Sequence, residues 1–186
     1  MIAAATRTEV LTPSEIMTAE NFLRGTRDNL LHAVGDLSER QARHKLSDEC
    51  WSVREIVEHI VLVESRAHRV LDRMQHAELD SRECPKDADA FITTEVPIRR
   101  KRLSAPEIVM PSQGWALPHG VEQFQRAREQ TMELVRCAPC LRGRVIHHPM
   151  FGPWDGYQWI LGAAAHSARH TEQIWELRSN PEFPLD

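Results

Sequence analysis

Two histidines, His166 and His170, have the type and spacing that most directly suggest chemistry in this chain. Residues four apart on a helix share a face, so both imidazoles are expected to point the same way. Two such nitrogens can occupy adjacent corners of a tetrahedral or octahedral metal. The chain holds ten histidines, however, and chance alone would produce about half of one such pair, so the spacing by itself is weak support.

The face that carries the pair strengthens the metal hypothesis, because it is mostly apolar or small and is therefore expected to face the core. Its members are Trp159, Gly162, Ala163, His166, His170, Gln173, Ile174 and Leu177. The small Gly162 and Ala163 are expected to let a partner helix approach closely. Gln173 lies one turn after His170 and would either bond a ligand of the metal or pack as a polar residue at the helix edge.

His59 is also expected to face the core, on a different predicted helix. It lies three residues after Ile56 and four before Val63, at the edge of an apolar stripe. Three inward histidines with no obvious carboxylate predict a three-ligand site with open positions, which is typical of catalytic rather than structural metal sites. The alternative is that these are core histidines bonded to backbone groups or to one another.

Capping patterns predict where the first helices begin. Thr12–Glu15 has Thr as the N-cap, Pro at the first helical position and Glu three residues after the cap. This helix is expected to run to about Val34. Ser38–Gln41 is a second capping pattern and predicts a short helix.

Ser52 and Glu55 form the clearest capping pattern, flanked by Trp51 and Ile56 as a hydrophobic staple. The helix that follows is predicted to last to about His76. Its apolar residues recur with helical period and are Ile56, Ile60, Val63, Ala67, Val70 and Met74. This pattern predicts a buried stripe.

The second half of the chain begins with an irregular segment, from about 80 to 118, which prolines interrupt repeatedly. A connection of this length tends to be functional, and it allows the next helix to run parallel to the previous one. A third amphipathic helix is predicted from about Val121 to before Pro139, and a last one from about Asp155 to Ser179. Phe151–Gly156 is predicted to be a turn cluster, and strand-like alternation is nearly absent.

Size and composition limit the classes of function. A chain of 186 residues suits one domain, 1–186, and the net charge of -4 gives no reason to expect nucleic acid as a partner. The first ten residues lack the apolar run of a signal peptide, and no stretch approaches 18 uninterrupted apolar residues, so no membrane partner is expected. The four cysteines are too few for a disulfide scaffold, and a cytoplasmic location is expected.

Three further motifs favour ordinary interpretations. Cys137 and Cys140 form a CxxC, but at the end of a predicted helix, where two loop cysteines are favoured over a redox or metal role. The basic run Arg99–Arg102 favours a solvated loop, although one of its residues could line a pocket mouth and attract an anionic substrate. His147 and His148 are interpreted as surface or pocket-rim residues.

Several ordered motifs resemble the DinB/YfiT-like family of metal-dependent enzymes. They are Trp51–His59, the basic stretch before Ala-Pro-Glu in Lys101–Glu107, Phe151–Trp159, and His166–Gln173 with its H-x-x-R-H-x-x-Q pattern. Each motif is loose by itself. The ordered combination, with about a hundred residues between the first and second histidine, is more specific and covers essentially the whole chain.

The resemblance implies an all-α, up-down-down-up four-helix bundle with a long crossover between helices 2 and 3, often dimeric. It implies His59, His166 and His170 as metal ligands, and it assigns no catalytic side chain. Relatives of this kind are transferases or isomerases that use a low-molecular-weight thiol, or hydrolases. The expected metal is most simply Zn²⁺, with Ni²⁺, Fe²⁺ or Mn²⁺ also compatible with imidazole ligands. The alternative is a non-catalytic metal- or small-ligand-binding protein.

Overall fold

The computed structural model describes residues 10–74, 76, 88–100, 104–137 and 141–185. Four long helices dominate this part of the chain: α1 (Pro13–Val34), α3 (Val53–Met74), α5 (Leu117–Cys137) and α6 (Gly156–Arg178). The shorter elements are α2 (Glu39–Arg43), α4 (Ala88–Thr94), a 3-10 turn (Glu107–Val109), and the strands β1 (Val145–His148) and β2 (Gly152–Asp155).

Side-chain caps fix the starts of the helices where the sequence predicts them. The Thr12 hydroxyl accepts from the Glu15 backbone N–H, and the Glu15 carboxylate accepts from the Thr12 backbone N–H at 2.7 Å. The Glu55 carboxylate accepts from the backbone N–H of Ser52 in the same way, at the start of α3. These bonds satisfy donors that a helix start leaves without intrahelical partners, so the capping predictions are confirmed.

The helices α3 and α5 run in the same direction. Near their starts, a Cβ added at Gly120 would lie 3.2 Å from Cγ1 of Val57. Three turns further along, His68 Nε2 lies 2.8 Å from the Thr131 hydroxyl. The segment between α3 and α5 therefore returns the chain to the end of the bundle where α3 began.

The helices α1 and α6 also run together. The Tyr157 hydroxyl donates to the Glu15 carbonyl near both starts, and the Arg178 guanidinium donates to the Ala33 carbonyl near both ends. The two pairs run in opposite directions, because Arg136 late in α5 pairs with Glu20 early in α1. The prediction of an all-α four-helix bundle is confirmed by these contacts.

Apolar side chains fill the bundle in two clusters along its length. One contains Leu23, Met132, Trp154 and Ile160, and the other contains Leu30, Ile56, Phe124 and Ile174. The helices keep their polar residues on the opposite faces, as amphipathic helices do. Within the described ranges, no helix combines the length and the apolar composition that crossing a bilayer requires.

A buried ion pair joins all four long helices at the centre of the bundle. Arg128 on α5 and Glu64 on α3 are 0% and 1% exposed and meet in a two-pronged pair at 2.8 and 3.0 Å. The remaining Arg128 N–H groups donate to the Leu23 carbonyl and Thr26 hydroxyl of α1 and to the Ser167 hydroxyl of α6. All five guanidinium donors are thereby used, which is the condition under which a buried charge is tolerated.

The segments between the helices contain structure that the sequence patterns did not predict. The predicted irregular segment carries α4 and the 3-10 turn, and α5 begins at Leu117, earlier than expected, with Pro118 inside its first turn. The turn prediction is wrong for most of Phe151–Gly156, because this stretch contains β2, which pairs antiparallel with β1 in a β-hairpin. Its strands have only four residues each, too few for an alternating pattern to be recognisable.

One arginine anchors the hairpin and α4 to the bundle. Arg142, just before β1, pairs with Glu15 of α1, Asp89 of α4 and Asp155 at the end of β2, at distances of 2.6, 2.6 and 2.9 Å. Burial alone would lower the pKa of Arg142, but these carboxylates raise it above its ordinary value, so the guanidinium stays charged. The hairpin is therefore held in a fixed position beside α6.

Candidate metal centre

The three predicted histidines converge between α3 and α6. His59 Nε2 lies 3.1 Å from His166 Nε2, and one nitrogen from each of the three rings lies within 4.8 Å of the others. Two nitrogens bound at about 2.0–2.1 Å to one ion are about 2.9–3.4 Å apart at octahedral or tetrahedral angles. The His59–His166 separation falls in this range, so the arrangement fits a metal ion.

Hydrogen bonds behind the rings set which nitrogens face the centre. His59 Nδ1 lies 2.7 Å from the Val109 carbonyl, and His170 Nδ1 lies 2.8 Å from the Gln173 side-chain oxygen. Both partners are acceptors, so each Nδ1 carries the hydrogen and each Nε2 keeps its lone pair. Arg99 donates to the same Gln173 oxygen at 3.2 Å, which supports this orientation of the amide. This is the usual outer support of metal-binding histidines.

The three rings are held in their neutral form. Burial lowers the pKa of His59, whose side chain is 3% exposed. Burial, followed by the neighbouring histidines, lowers the pKa of His166 well below its ordinary value and that of His170 to about 3. Neutral imidazole is the form that binds metals. Without a metal, the same neutral form would allow His166 Nε2 to donate a hydrogen bond to His59 Nε2, which is the alternative of core histidines bonded to one another.

A buried glutamate holds the backbone that supports His59. The Glu58 carboxylate, 1% exposed, accepts from the backbone N–H groups of Ser112 and Gln113 at 2.5 and 2.7 Å. These residues follow the 3-10 turn whose last carbonyl, that of Val109, receives the His59 hydrogen bond. The sequence did not indicate this role, because it depends on how the crossover folds back onto α3.

The histidines line a cleft of about 1410 Å³ between α3, α6, the crossover and the hairpin. The Trp51 ring packs against His59 with 4.7 Å between centroids. Further along, the cleft wall is aromatic, and its members are Phe91, Phe151, Trp154 and Trp159. The centre is therefore accessible to a small molecule through a mostly apolar passage.

A glycine shapes this wall, in a way that differs from the prediction. A Cβ added at Gly162 would lie 2.4 Å from Cζ3 of Trp154, closer than any real contact. The close approach at Gly162 is thus made by the indole of β2, and not by a helix as the small residue suggested. A side chain at this position would displace the tryptophan from the cleft.

His148 is part of the aromatic wall, while its neighbour His147 is exposed. Its ring centroid lies 4.2 Å from that of Trp154 and 4.9 Å from that of Phe151. Burial, followed by the charge of Arg66, lowers the pKa of His148 to about 4. Of the two adjacent histidines, only His148 therefore faces the candidate site.

Of the other residues singled out in the sequence, Arg99 lies at the cleft, and others lie elsewhere or outside the described residues. Arg99 lines the cleft and pairs with Glu176 at 3.0 Å, so the solvated-loop interpretation is wrong for this residue. Cys137 is exposed at the end of α5. Cys140, Lys101 and Arg102 lie outside the described residues, so the CxxC and the end of the basic run stay predictions.

We predict that replacing Gln173 with leucine weakens divalent-metal binding about 10–100-fold, as is typical when an outer hydrogen bond to a ligand is removed. Leucine has a similar size but no acceptor for the His170 N–H, so the ring loses its fixed orientation. Competition with a chromogenic chelator measures the affinity. Gln130→Leu, at an exposed position of α5, is the matched control. Equal affinities for wild type and Gln173→Leu would contradict the prediction.

We also predict that His148 makes the metal-free protein sensitive to acid. The folded-state pKa of about 4 lies below the ordinary value of about 6.5, so the unfolded chain binds more protons between these limits. Stability is therefore lost as the pH falls through this range, by roughly 1–2 kcal/mol after allowance for partial exposure. Urea denaturation with chelator present, at several pH values, should show a shallower loss for His148→Gln. Identical pH slopes in the two proteins would refute it.

Comparison with known proteins identifies the family. Residues 23–174, which contain all three histidines, match the DinB superfamily. The chain belongs to the DinB superfamily. The resemblance inferred from the motifs is thereby confirmed.

Individual relatives of this DinB-superfamily chain add the fold but no activity. The uncharacterized protein YuaE of Bacillus subtilis (strain 168) is 26% identical over 153 residues, which cover 78% of this chain and 88% of that protein. The crystal structure of TT2238, described as a four-helix bundle protein, matches with a TM-score of 0.60 and 20% identity, over 87% of this chain and 98% of the other. This structural likeness supports the bundle.

Proposed function

We propose that this DinB-superfamily protein is a metal-dependent enzyme, a transferase or a hydrolase, in which His59, His166 and His170 hold one divalent ion through their Nε2 atoms. The observation that carries the proposal is the convergence of three neutral imidazoles, two of them with their Nδ1 atoms engaged elsewhere, at a cleft. Zn²⁺ is the simplest choice, and Ni²⁺, Fe²⁺ and Mn²⁺ suit the same ligands.

The chemistry supplied by such an ion, when bound, is a lower pKa for a thiol or water, which gives a nucleophile near neutral pH. The protein's own contribution is positional. The Val109 carbonyl and the Gln173 amide orient His59 and His170. Three protein ligands leave open positions for a further group. The aromatic wall and Trp51 give the cleft around the centre a mostly apolar lining.

The size of the cleft favours a reaction with two partners. Its volume of about 1410 Å³ is larger than the roughly 300–1,000 Å³ of ordinary small-molecule sites. A low-molecular-weight thiol and a second small molecule would fit together. This supports the transferase form of the proposal, with the thiol as cosubstrate, over simple hydrolysis.

Metal analysis and activity screening test the proposal. The purified protein is dialysed against each candidate metal and then against metal-free buffer. We expect it to retain about one ion per chain, as measured by inductively coupled plasma mass spectrometry. Thiol-conjugation and ester-hydrolysis screens should then reveal a reaction that a chelator abolishes and that the His170→Ala variant lacks. Failure to retain any metal would overturn the proposal. Retention without any reaction, combined with unfolding on chelation, would favour a structural, non-catalytic site.

We further propose that residues 1–186 form one domain that assembles as a homodimer in the cytoplasm. The homodimer follows from the resemblance to the family, whose members are often dimeric. Light scattering coupled to gel filtration should give twice the chain mass of 21.4 kDa. A mass of one chain across a range of concentrations would contradict the dimer.

A further inference from the structure

Arg66 is a charged residue of the cleft that the proposed metal centre does not use. It lies on α3, is half-buried and lines the cleft. It comes seven positions after His59, which places it about 10.5 Å further along the same helix and within about 20° of the same face. The cleft therefore has histidines at one end and an arginine at the other.

Among the described residues, the other cleft arginines have partners and Arg66 has none. Arg99 pairs with Glu176, Arg100 pairs with Glu95, and Arg169 donates to the Ile98 carbonyl. Within the described part of the chain, Arg66 has no hydrogen-bond or ion-pair partner. A half-buried guanidinium without a partner carries a desolvation cost that an anionic ligand would offset.

A second donor lies near this arginine. The backbone N–H of Met150 donates to His148 Nδ1 at 3.2 Å. In the neutral ring Nε2 therefore carries the hydrogen and is a donor. Arg66 and His148 line the same cleft, and the charge of Arg66 contributes to the lowered pKa of His148. A guanidinium and an imidazole N–H together suit a group that only accepts hydrogen bonds.

The wall between the two ends is apolar. It is formed by Val63, Ala67, Gly162, Ala163, Trp154 and Trp159. A ligand that reaches from the histidines to Arg66 would lie against these side chains. Its middle part is therefore expected to be hydrocarbon or aromatic, because a polar group there would be buried without partners.

We propose that Arg66, assisted by His148, binds one carboxylate of the substrate or cosubstrate, whose reactive end lies at the three histidines. One arginine without a partner matches a single negative charge, which favours a carboxylate over a doubly charged phosphate. The ligand class is thus a carboxylic acid with an apolar spacer of about 10 Å. The reactive end of this ligand rests on the proposed function, whereas the Arg66 end does not.

Calorimetric titration with a matched pair of probes tests the subsite. The probes are ω-mercaptooctanoate and its primary amide, which differ only in the charge of the far end. Wild type is expected to bind the acid at least about ten-fold more tightly than the amide, the effect of one hydrogen-bonded charge. Arg66→Gln should reduce this ratio to about one, and Arg66→Lys should retain part of it. Mercaptopropionate, too short to reach Arg66, should bind both proteins equally.

Arg69→Gln is the matched control, because Arg69 lies on the same helix but is exposed and outside the cleft. A wild-type ratio near one, or an unchanged ratio in Arg66→Gln, would overturn the proposal. A phosphonate of the same length that binds more tightly than the acid through Arg66 would overturn the choice of carboxylate.

Repeating the titrations with chelator separates the two proposals. If metal holds the thiol, chelation weakens both probes equally and leaves the acid-to-amide ratio intact. No effect of chelation, with the ratio preserved, would remove the metal proposal and leave the Arg66 subsite standing. A wild-type acid-to-amide ratio near one, together with weaker binding of both probes on chelation, would remove the Arg66 subsite and leave the metal proposal standing.

Discussion

Replacing His170 with alanine is expected to lower the affinity for a divalent metal by more than about a hundred-fold. Structural zinc sites gain roughly 10–16 kcal/mol from about four ligands, so one ligand corresponds to more than two powers of ten. The same result is expected for His166→Ala and His59→Ala. Equilibrium dialysis followed by elemental analysis measures the affinity directly.

A histidine away from the centre provides the control for this experiment. His119 lies on the exposed face of α5 and its alanine variant should bind metal like wild type. Added metal should also raise the melting temperature of wild type and of His119→Ala, because a ligand that binds only the folded state stabilises it. The three site variants should show no such rise. Wild-type affinity in all three would mean that the histidines are core residues bonded to one another.

Replacing Arg128 with methionine is expected to destabilise the protein by about 3–5 kcal/mol, the usual cost of breaking a buried ion pair from one side. The change leaves the Glu64 carboxylate, 1% exposed, without its two-pronged partner. It also removes the donors to the Thr26 and Ser167 hydroxyls. Urea denaturation followed by circular dichroism gives the free energy of unfolding.

A second substitution shows whether the loss comes from the unpaired carboxylate. Arg128→Met combined with Glu64→Leu removes both charges and should recover most of the stability, because a packed apolar pair is often as stable as a buried ion pair. Arg126→Met is the control, since Arg126 makes an exposed pair with Glu122 and its loss should cost less than about 1 kcal/mol. A double variant as unstable as the single one would assign the loss to packing instead.

The main helices could be predicted from local sequence because their signals are local. The predicted cap at Thr12 and end at Val34, and the predicted start near Asp155 and end near Ser179, match the bounds of α1 and α6 within one or two residues. The end of α3 at Met74 is two residues earlier than predicted. The five-residue α2 could still be predicted, because Ser38 and Gln41 form a local cap. The helix α4 and the two strands carry too little pattern and depend on long-range anchors such as Arg142.

Of the candidate site, the sequence could predict the three histidines but not most of the groups around them. His166 and His170 share a helix face by spacing, and His59 borders an apolar stripe, so the sequence indicates all three. The groups that orient and surround them come from the crossover and the hairpin, among them the Val109 carbonyl, Arg99 and His148. No local pattern specifies where such segments fold back, so their roles required the tertiary structure.

The separation of the histidines along the chain has a consequence for the order of folding and metal uptake. His59 and His166 are 107 residues apart, so of the three proposed ligands only His166 and His170 are close together along an unfolded chain. Bringing His59 to that pair closes a loop whose length-dependent entropy cost is about 4 kcal/mol. Helix packing, including the buried Arg128 pair, already holds that loop closed. Folding is therefore expected to precede metal uptake, and the speed of loading to be set by entry through the cleft.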